Sequence, residues 1–96
     1  MTIVFDKKGD RLEVSLEGRL DTNSAPEFES FLSENSKGIN ALTINCEKLA
    51  YVSSAGLRVL LAAQKKMKGA VKLTNVCELV MEVLDITGLA GILTIE

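Results

Sequence analysis

Histidine is absent from the 96-residue chain, so no Ser-His or Cys-His catalytic pair can be assembled. Two cysteines, Cys46 and Cys77, are too few for the disulfide framework of a small secreted domain. Without histidine beside them they do not make a zinc site either. They are expected as buried thiols in a reducing compartment. Aromatic residues are sparse, with three Phe, one Tyr and no Trp, which leaves no platform for stacking bases. There is also no basic excess: 11 Lys and Arg against 13 Asp and Glu give a net charge of −2. Phosphate backbones are bound by cationic surfaces, so nucleic acid is not an expected partner. No apolar run approaches the roughly 18–20 residues of a membrane span. Residues Met1–Asp6 lack the basic-then-apolar build of a signal peptide. The expectation is a cytoplasmic protein with no direct membrane insertion. Walker-type and G-x-G-x-x-G loops are missing, and Gly88-Leu89-Ala90-Gly91 is too short and follows a helix rather than a strand. Lys65 and Lys66 read as solvent-facing, which argues against a Ser-Lys pair. No enzymatic activity, cofactor or metal is expected.

What is present is an ordinary globular composition, 47% hydrophobic and 25% charged, in a length that suits one domain over residues 1–96. Residues 2–8 alternate around Ile3 and Phe5, and Lys7-Lys8-Gly9-Asp10 reads as a turn. Leu12, Val14 and Leu16 then alternate with polar neighbours, as in a half-buried strand. Gly18–Asn23 reads as a connection. Ser24 and Glu27 have capping-box spacing, with Pro26 in the first turn of a helix whose apolar stripe is Phe28, Phe31 and Leu32. Gly38 ends that helix. Ile39–Asn45 reads as a strand and Glu47–Val52 as a loop. A second helix is predicted from Ser54 to Lys68, with Leu57, Leu60, Leu61 and Met67 inward, Gln64, Lys65 and Lys68 outward, and Gly69 as C-cap. Val71–Leu73 is a short strand. Asn75 and Glu78 suggest the start of a third helix, with Leu79, Val80, Val83 and Leu84 on its buried face. Asp85 and Gly88 close it, and Ile92–Ile95 is a last strand. The order β-β-α-β-α-β-α-β predicts an α/β fold: a mixed, largely parallel sheet with helices packed against it.

Tyr51-Val52-Ser53-Ser54-Ala55-Gly56-Leu57-Arg58 carries the most information. It puts two serines at a helix N-terminus, where unpaired N–H groups and the helix dipole favour negative charge. Either serine can serve simply as an N-cap. Gly56 in a first turn costs up to about 1 kcal/mol against alanine. It therefore points to close backbone approach there, by something outside the helix or by the preceding loop. Arg58, Lys65, Lys66 and Lys68 read as a solvated helix face able to steer an acidic partner. Asp21, Thr22 and Asn23 are expected near Ser54, because functional loops gather at the strand ends of such sheets; ordinary turn chemistry is the alternative.

Gly18-x-Leu20-Asp21 followed by Ser24-Ala25-Pro26, and Ser53-Ser54-Ala55-Gly56-Leu57-Arg58-Val59-Leu60-Leu61, together resemble the two signature blocks of the STAS family. The likeness spans essentially the whole chain. The resemblance implies a bacterial anti-sigma factor antagonist. Its unmodified form binds an anti-sigma factor that is also a serine kinase, and this frees a sigma factor. Phosphorylation of one serine at the helix start separates the complex, and a PP2C-type phosphatase restores it. Many members carry Asp-Ser-Ser/Thr-Gly-Leu there. Aligning Gly56-Leu57 with that run makes Ser54 the acceptor and Ser53 the second choice. Ser53 then replaces the family Asp, and Ala55 replaces its second hydroxyl residue. The expected partner-contacting set is Asp21, Asn23, Ser53, Ser54, Ala55, Gly56, Leu57 and Arg58. The other role the resemblance allows is a non-phosphorylated interaction subunit of a lipid-transport complex or signalling scaffold.

Overall fold

The computed structural model describes all 96 residues, Met1–Glu96. Strands β1 (Thr2–Lys8) and β2 (Arg11–Leu20) form an antiparallel hairpin, turned at Gly9, whose φ of +65° glycine adopts without strain. There follow α1 (Ala25–Asn35), β3 (Ala41–Val52), α2 (Ser54–Lys66), β4 (Val71–Thr74), α3 (Glu78–Ile86), a 3₁₀ turn (Leu89–Gly91) and β5 (Thr94–Ile95). The sheet runs β1-β2-β3-β4-β5, antiparallel at the first pair and parallel thereafter. This is the mixed, largely parallel α/β sheet that the element order predicts.

Alternation puts Leu12, Val14 and Leu16 of β2, Leu42, Ile44 and Cys46 of β3, and Val71 and Leu73 of β4 on one face, all buried. Phe28 and Leu32 of α1, Leu57 and Leu60 of α2, and Val80 and Leu84 of α3 join them in one core cluster. The opposite face presents Glu13, Ser15, Glu17, Thr43, Asn45, Lys72 and Thr74 and is polar. The helices thus cover one side of the sheet and leave the other open.

Several local expectations are corrected. Glu47–Val52 is strand, not loop, and Gly18–Leu20 belongs to β2. The buried residues there are Cys46, Leu49 and Val52, spaced by three rather than two. Register shifts between Ser15/Glu17 and Gly18/Arg19 break the alternation, as β-bulges do. The Ser24/Glu27 capping box does not form, and Ser24 makes no side-chain cap bond. Asn75 does not cap α3: it sits at φ +53°, its Nδ2 donates to Asn45 Oδ1 at 3.1 Å, and the N-cap position is Cys77. Leu79 is 50% exposed and Val83 only partly covered. Gln64 is partly covered, and its Nε2 donates to the Ile92 carbonyl at 2.9 Å. Helix α2 ends two residues early, and Leu89–Gly91 form a 3₁₀ turn that shortens the last strand to Thr94–Ile95.

Both thiols are free, Cys46 buried and Cys77 partly exposed. Burial pushes the Cys46 thiol up to about 12 from an ordinary 9.0, with Cys77 adding to the shift. The unfolded thiol ionises near its ordinary value and the folded one only near 12. This contribution to stability is therefore complete below pH 9.0 and declines as pH rises toward 12. At pH 8, iodoacetamide is expected to label Cys77 well before Cys46, read by peptide mass spectrometry. Equal labelling rates would mean that the sheet opens locally on the labelling timescale.

Candidate functional site

The parallel pairing of β2 with β3 sets Leu20 opposite Val52. Both strands end there, at one end of the sheet, so the turn after β2 and the start of α2 emerge side by side. The Ser53 N–H donates to the Leu20 carbonyl at 2.8 Å, stitching the two exits together.

Ser53 is extended, with φ −96° and ψ 175°, and its Oγ accepts from Gly56 N at 3.3 Å. Its carbonyl accepts from Leu57 N at 2.9 Å. Ser53 is therefore the N-cap of α2 and its hydroxyl is committed to the helix. Ser54, the first residue of the helix, is exposed and its hydroxyl has no partner within the chain. The N–H groups of Ser54 and Ala55 have no intrahelical acceptors, and the helix dipole adds to their positive potential. Lys65 and Lys66 balance the dipole at the far end.

Gly56 is where the helix touches the sheet. A Cβ on it would lie 2.7 Å from Leu20 Cγ, 2.8 Å from the Leu20 carbonyl oxygen and 3.0 Å from Val52 Cγ2. The close approach that this glycine implies is thus internal, between α2 and the end of β2.

On the neighbouring turn, Asp21 Oδ1 accepts from Asn23 N at 3.0 Å and Ser24 N at 3.1 Å, while the Asp21 carbonyl accepts from Ala25 N at 2.8 Å. Ser24 Oγ donates to the Arg19 carbonyl at 2.7 Å and accepts from Asp21 N at 2.9 Å. Asp21, rather than Ser24, therefore organises the start of α1, which is why the Ser24/Glu27 box stays open. These bonds from Ser24 and Asn23, with Arg19 3.8 Å away, hold the Asp21 carboxyl below its ordinary value. The Arg19 guanidinium also lies 4.4 Å from the centre of the Tyr51 ring, one strand over. Thr22, Pro26, Ala55 and Arg58 line a shallow groove between the starts of α1 and α2.

The STAS family model described as "Mlab, STAS domain" matches residues 3–94. The chain belongs to the STAS domain family. The anti-sigma-B factor antagonist of Bacillus subtilis is 32% identical over 88 residues, which cover 88% of this chain and 81% of that protein. BtrV of Bordetella bronchiseptica, provisionally an anti-sigma factor antagonist, is 30% identical over 96 residues, covering 99% and 83%. The anti-sigma factor antagonist SpoIIAA in its unphosphorylated form superimposes with a TM-score of 0.84 at 17% identity, covering 99% of this chain and 88% of that one. An anti-sigma factor antagonist from Mycobacterium paratuberculosis gives 0.85 at 21% identity, covering 98% and 83%. These two structures share the fold of this STAS domain.

Within this STAS domain, Ser53, Ser54, Ala55 and Arg58 reach the surface at the strand ends beside Asp21 and Asn23. Gly56 and Leu57 are buried and shape the site from beneath. Leu20, which the sequence alone does not mark as part of the site, ends β2 beneath it. Its side chain and carbonyl receive Gly56 and Ser53, and the signal was the otherwise costly first-turn glycine. The Arg19–Tyr51 stack has no sequence signal, because that pairing depends on the shifted register.

The two serines separate experimentally. Ser53→Ala is expected to cost about 1 kcal/mol through loss of the cap, or roughly 4–8 °C in Tm for a domain of this size. Ser54→Ala is expected to stay within about 0.5 kcal/mol. Thermal denaturation of the two variants checks this; equal losses would contradict the cap assignment.

Proposed function

We propose that this STAS domain is an anti-sigma factor antagonist switched by phosphorylation of Ser54. One observation carries the choice of residue: Ser53 spends its hydroxyl on the helix cap, whereas the exposed Ser54 hydroxyl is uncommitted. In its unmodified form the domain binds an anti-sigma factor with serine kinase activity through the surface around Ser54, Ala55 and Arg58 and the Asp21–Asn23 turn. The kinase transfers a phosphoryl group to Ser54, the complex dissociates, and a PP2C-type phosphatase removes the mark. The relatives named as anti-sigma factor antagonists support this reading. So does SpoIIAA, known in both an unphosphorylated and a phosphorylated form. The family's Asp is Ser53 here, so phosphoryl transfer relies on the partner's own groups rather than on a carboxylate at that position.

A second reading rests on the departures from the family's run, Ser53 in place of its Asp and Ala55 in place of its second hydroxyl residue. It makes the domain an unphosphorylated subunit of a lipid-transport complex or scaffold. Capture from native lysate with wild type, Ser54→Ala and Ser54→Asp, followed by phosphosite mapping, distinguishes the two. A serine kinase held by wild type and Ser54→Ala but lost by Ser54→Asp, with phosphate on Ser54, supports the switch. One partner retained by all three, with Ser53 and Ser54 unmodified, overturns it in favour of the constitutive subunit.

A further inference from the structure

Helix α3 departs from the usual rule that a solvent-facing helix surface is polar. Leu79 is 50% exposed and Ile86 is 80% exposed, with the partly covered Val83 between them. These residues follow i, i+4, i+7 spacing and form one row along the helix. Val80 and Leu84 supply its main contact with the core and Val83 packs at the core's margin, so the exposed Leu79 and Ile86 are not needed for folding. Ile92, 53% exposed, follows the 3₁₀ turn that packs on α3.

A second row runs beside the first. Glu78, Glu82 and Asp85 have the same i, i+4, i+7 spacing, are exposed, and pair with no Lys or Arg. All eleven Lys and Arg of the chain precede Leu73, so residues 73–96 carry four acids and no cation. Of these acids only Glu96 is paired, with Lys72 at 3.3 Å.

We infer that the paired apolar and acidic rows of α3 form a docking face for a cationic amphipathic helix of a partner protein. Such a helix would lay an apolar stripe on Leu79, Val83 and Ile86 and set Lys or Arg against Glu78, Glu82 and Asp85. This is the helix-on-face mode of peptide recognition. Charge disfavours two competing occupants. A second copy docked α3 against α3 would oppose two acidic rows, and an anionic lipid surface would repel the same carboxylates. The inference does not rest on the phosphorylation of Ser54.

The test uses the full chain, labelled with ¹⁵N, and a synthetic 18-residue helix with Leu at i, i+4, i+7 and i+11 and Lys beside each. Amide shifts concentrated on residues 78–92 are expected. Affinity is expected to fall at least tenfold with Ile86→Ser and again with Glu82→Lys. No binding is expected for the peptide with Glu in place of Lys. Both substitutions are at exposed positions, and an unchanged spectrum elsewhere verifies the fold. Shifts lying elsewhere, or equal binding of the Glu peptide, would overturn the inference. Self-association abolished by Ile86→Ser in sedimentation would overturn it in favour of a second copy. Co-sedimentation with phosphatidylglycerol vesicles would overturn it in favour of a membrane. Repeating the titration with Ser54→Asp keeps the outcomes apart: unchanged α3 binding there leaves the Ser54 switch to be judged on its own.

Discussion

Phosphorylated at Ser54, the domain is expected to bind its anti-sigma partner about 100- to 1,000-fold more weakly than the unmodified domain. The modification adds about −1.5 to −2 charge at neutral pH. At the first residue of α2 the free N–H groups and the dipole accept that charge, so the fold is expected to remain intact. The cost falls on the interface. A dianion set against a packed or acidic partner surface loses hydration without a partner, which costs several kcal/mol. At about 1.4 kcal/mol per decade, 3–4 kcal/mol gives two to three orders of magnitude. Ser54→Asp carries about half the charge and is expected to lose at least tenfold. Calorimetric titration with the purified partner measures the affinities, and a thermal melt of the free domain verifies the fold. Undiminished affinity with a normal melt would sink the switch, whereas a collapsed melt would place the effect on the fold.

Gly56→Ala is expected to destabilise the domain by about 1–3 kcal/mol, the range for overpacking a filled site, after the helix recovers up to about 1 kcal/mol of propensity. At 2.7 Å from Leu20 Cγ and 2.8 Å from the Leu20 carbonyl oxygen, the new methyl has nowhere to go. The side chain can turn, but the carbonyl is held by the Ser53 N–H. Either α2 lifts off the sheet or that bond breaks, so partner binding is expected to weaken together with stability. The Tm drop is expected to be roughly 10 °C. Gly91→Ala is the control: nothing lies within 4 Å of its Cβ position and its φ is not positive, so its effect is expected to stay within about 0.5 kcal/mol. A Gly56→Ala variant as stable as wild type would show that the contact with β2 is loose.

Elements with clean periodicity were legible from the sequence. Leu12, Val14 and Leu16 alternate and Phe28 and Leu32 mark α1, whereas Gly38, Gly69 and Gly88 lie two or three residues beyond the last helical residue, past the caps Ser36, Met67 and Thr87. The second half of β3 was not legible. Its register shift against β2 replaces the period of two with Cys46, Leu49 and Val52, a spacing that reads as neither strand nor helix. Asn75 and Ser24 misled for a related reason. Both have cap-forming side chains, but each bonds to a tertiary or turn neighbour that local sequence cannot display. Leu79 looked like core because an exposed leucine and a buried one are the same letter. Only the positions of Val80 and Leu84 against the sheet decide which row of α3 faces inward. At the site, the family resemblance puts the acceptor at Ser54 with Ser53 as second choice, but position alone lets either serine cap the helix. The extended backbone of Ser53 and its bond from Gly56 separate a structural hydroxyl from a free one.

The pairing of Leu20 with Val52 also has a kinetic consequence. The two halves of the surface lie about thirty residues apart in the chain, separated by all of α1 and most of β3. Neither half is spatially defined until the parallel pair closes, and closures of that sequence separation are slow steps for mixed α/β domains. A chain still emerging from the ribosome, or one opened by heat, therefore presents no recognisable surface to a partner. The domain becomes visible to its partner only when it is folded, so recognition doubles as a folding checkpoint, and every complex formed withdraws molecules from the unfolding equilibrium by mass action.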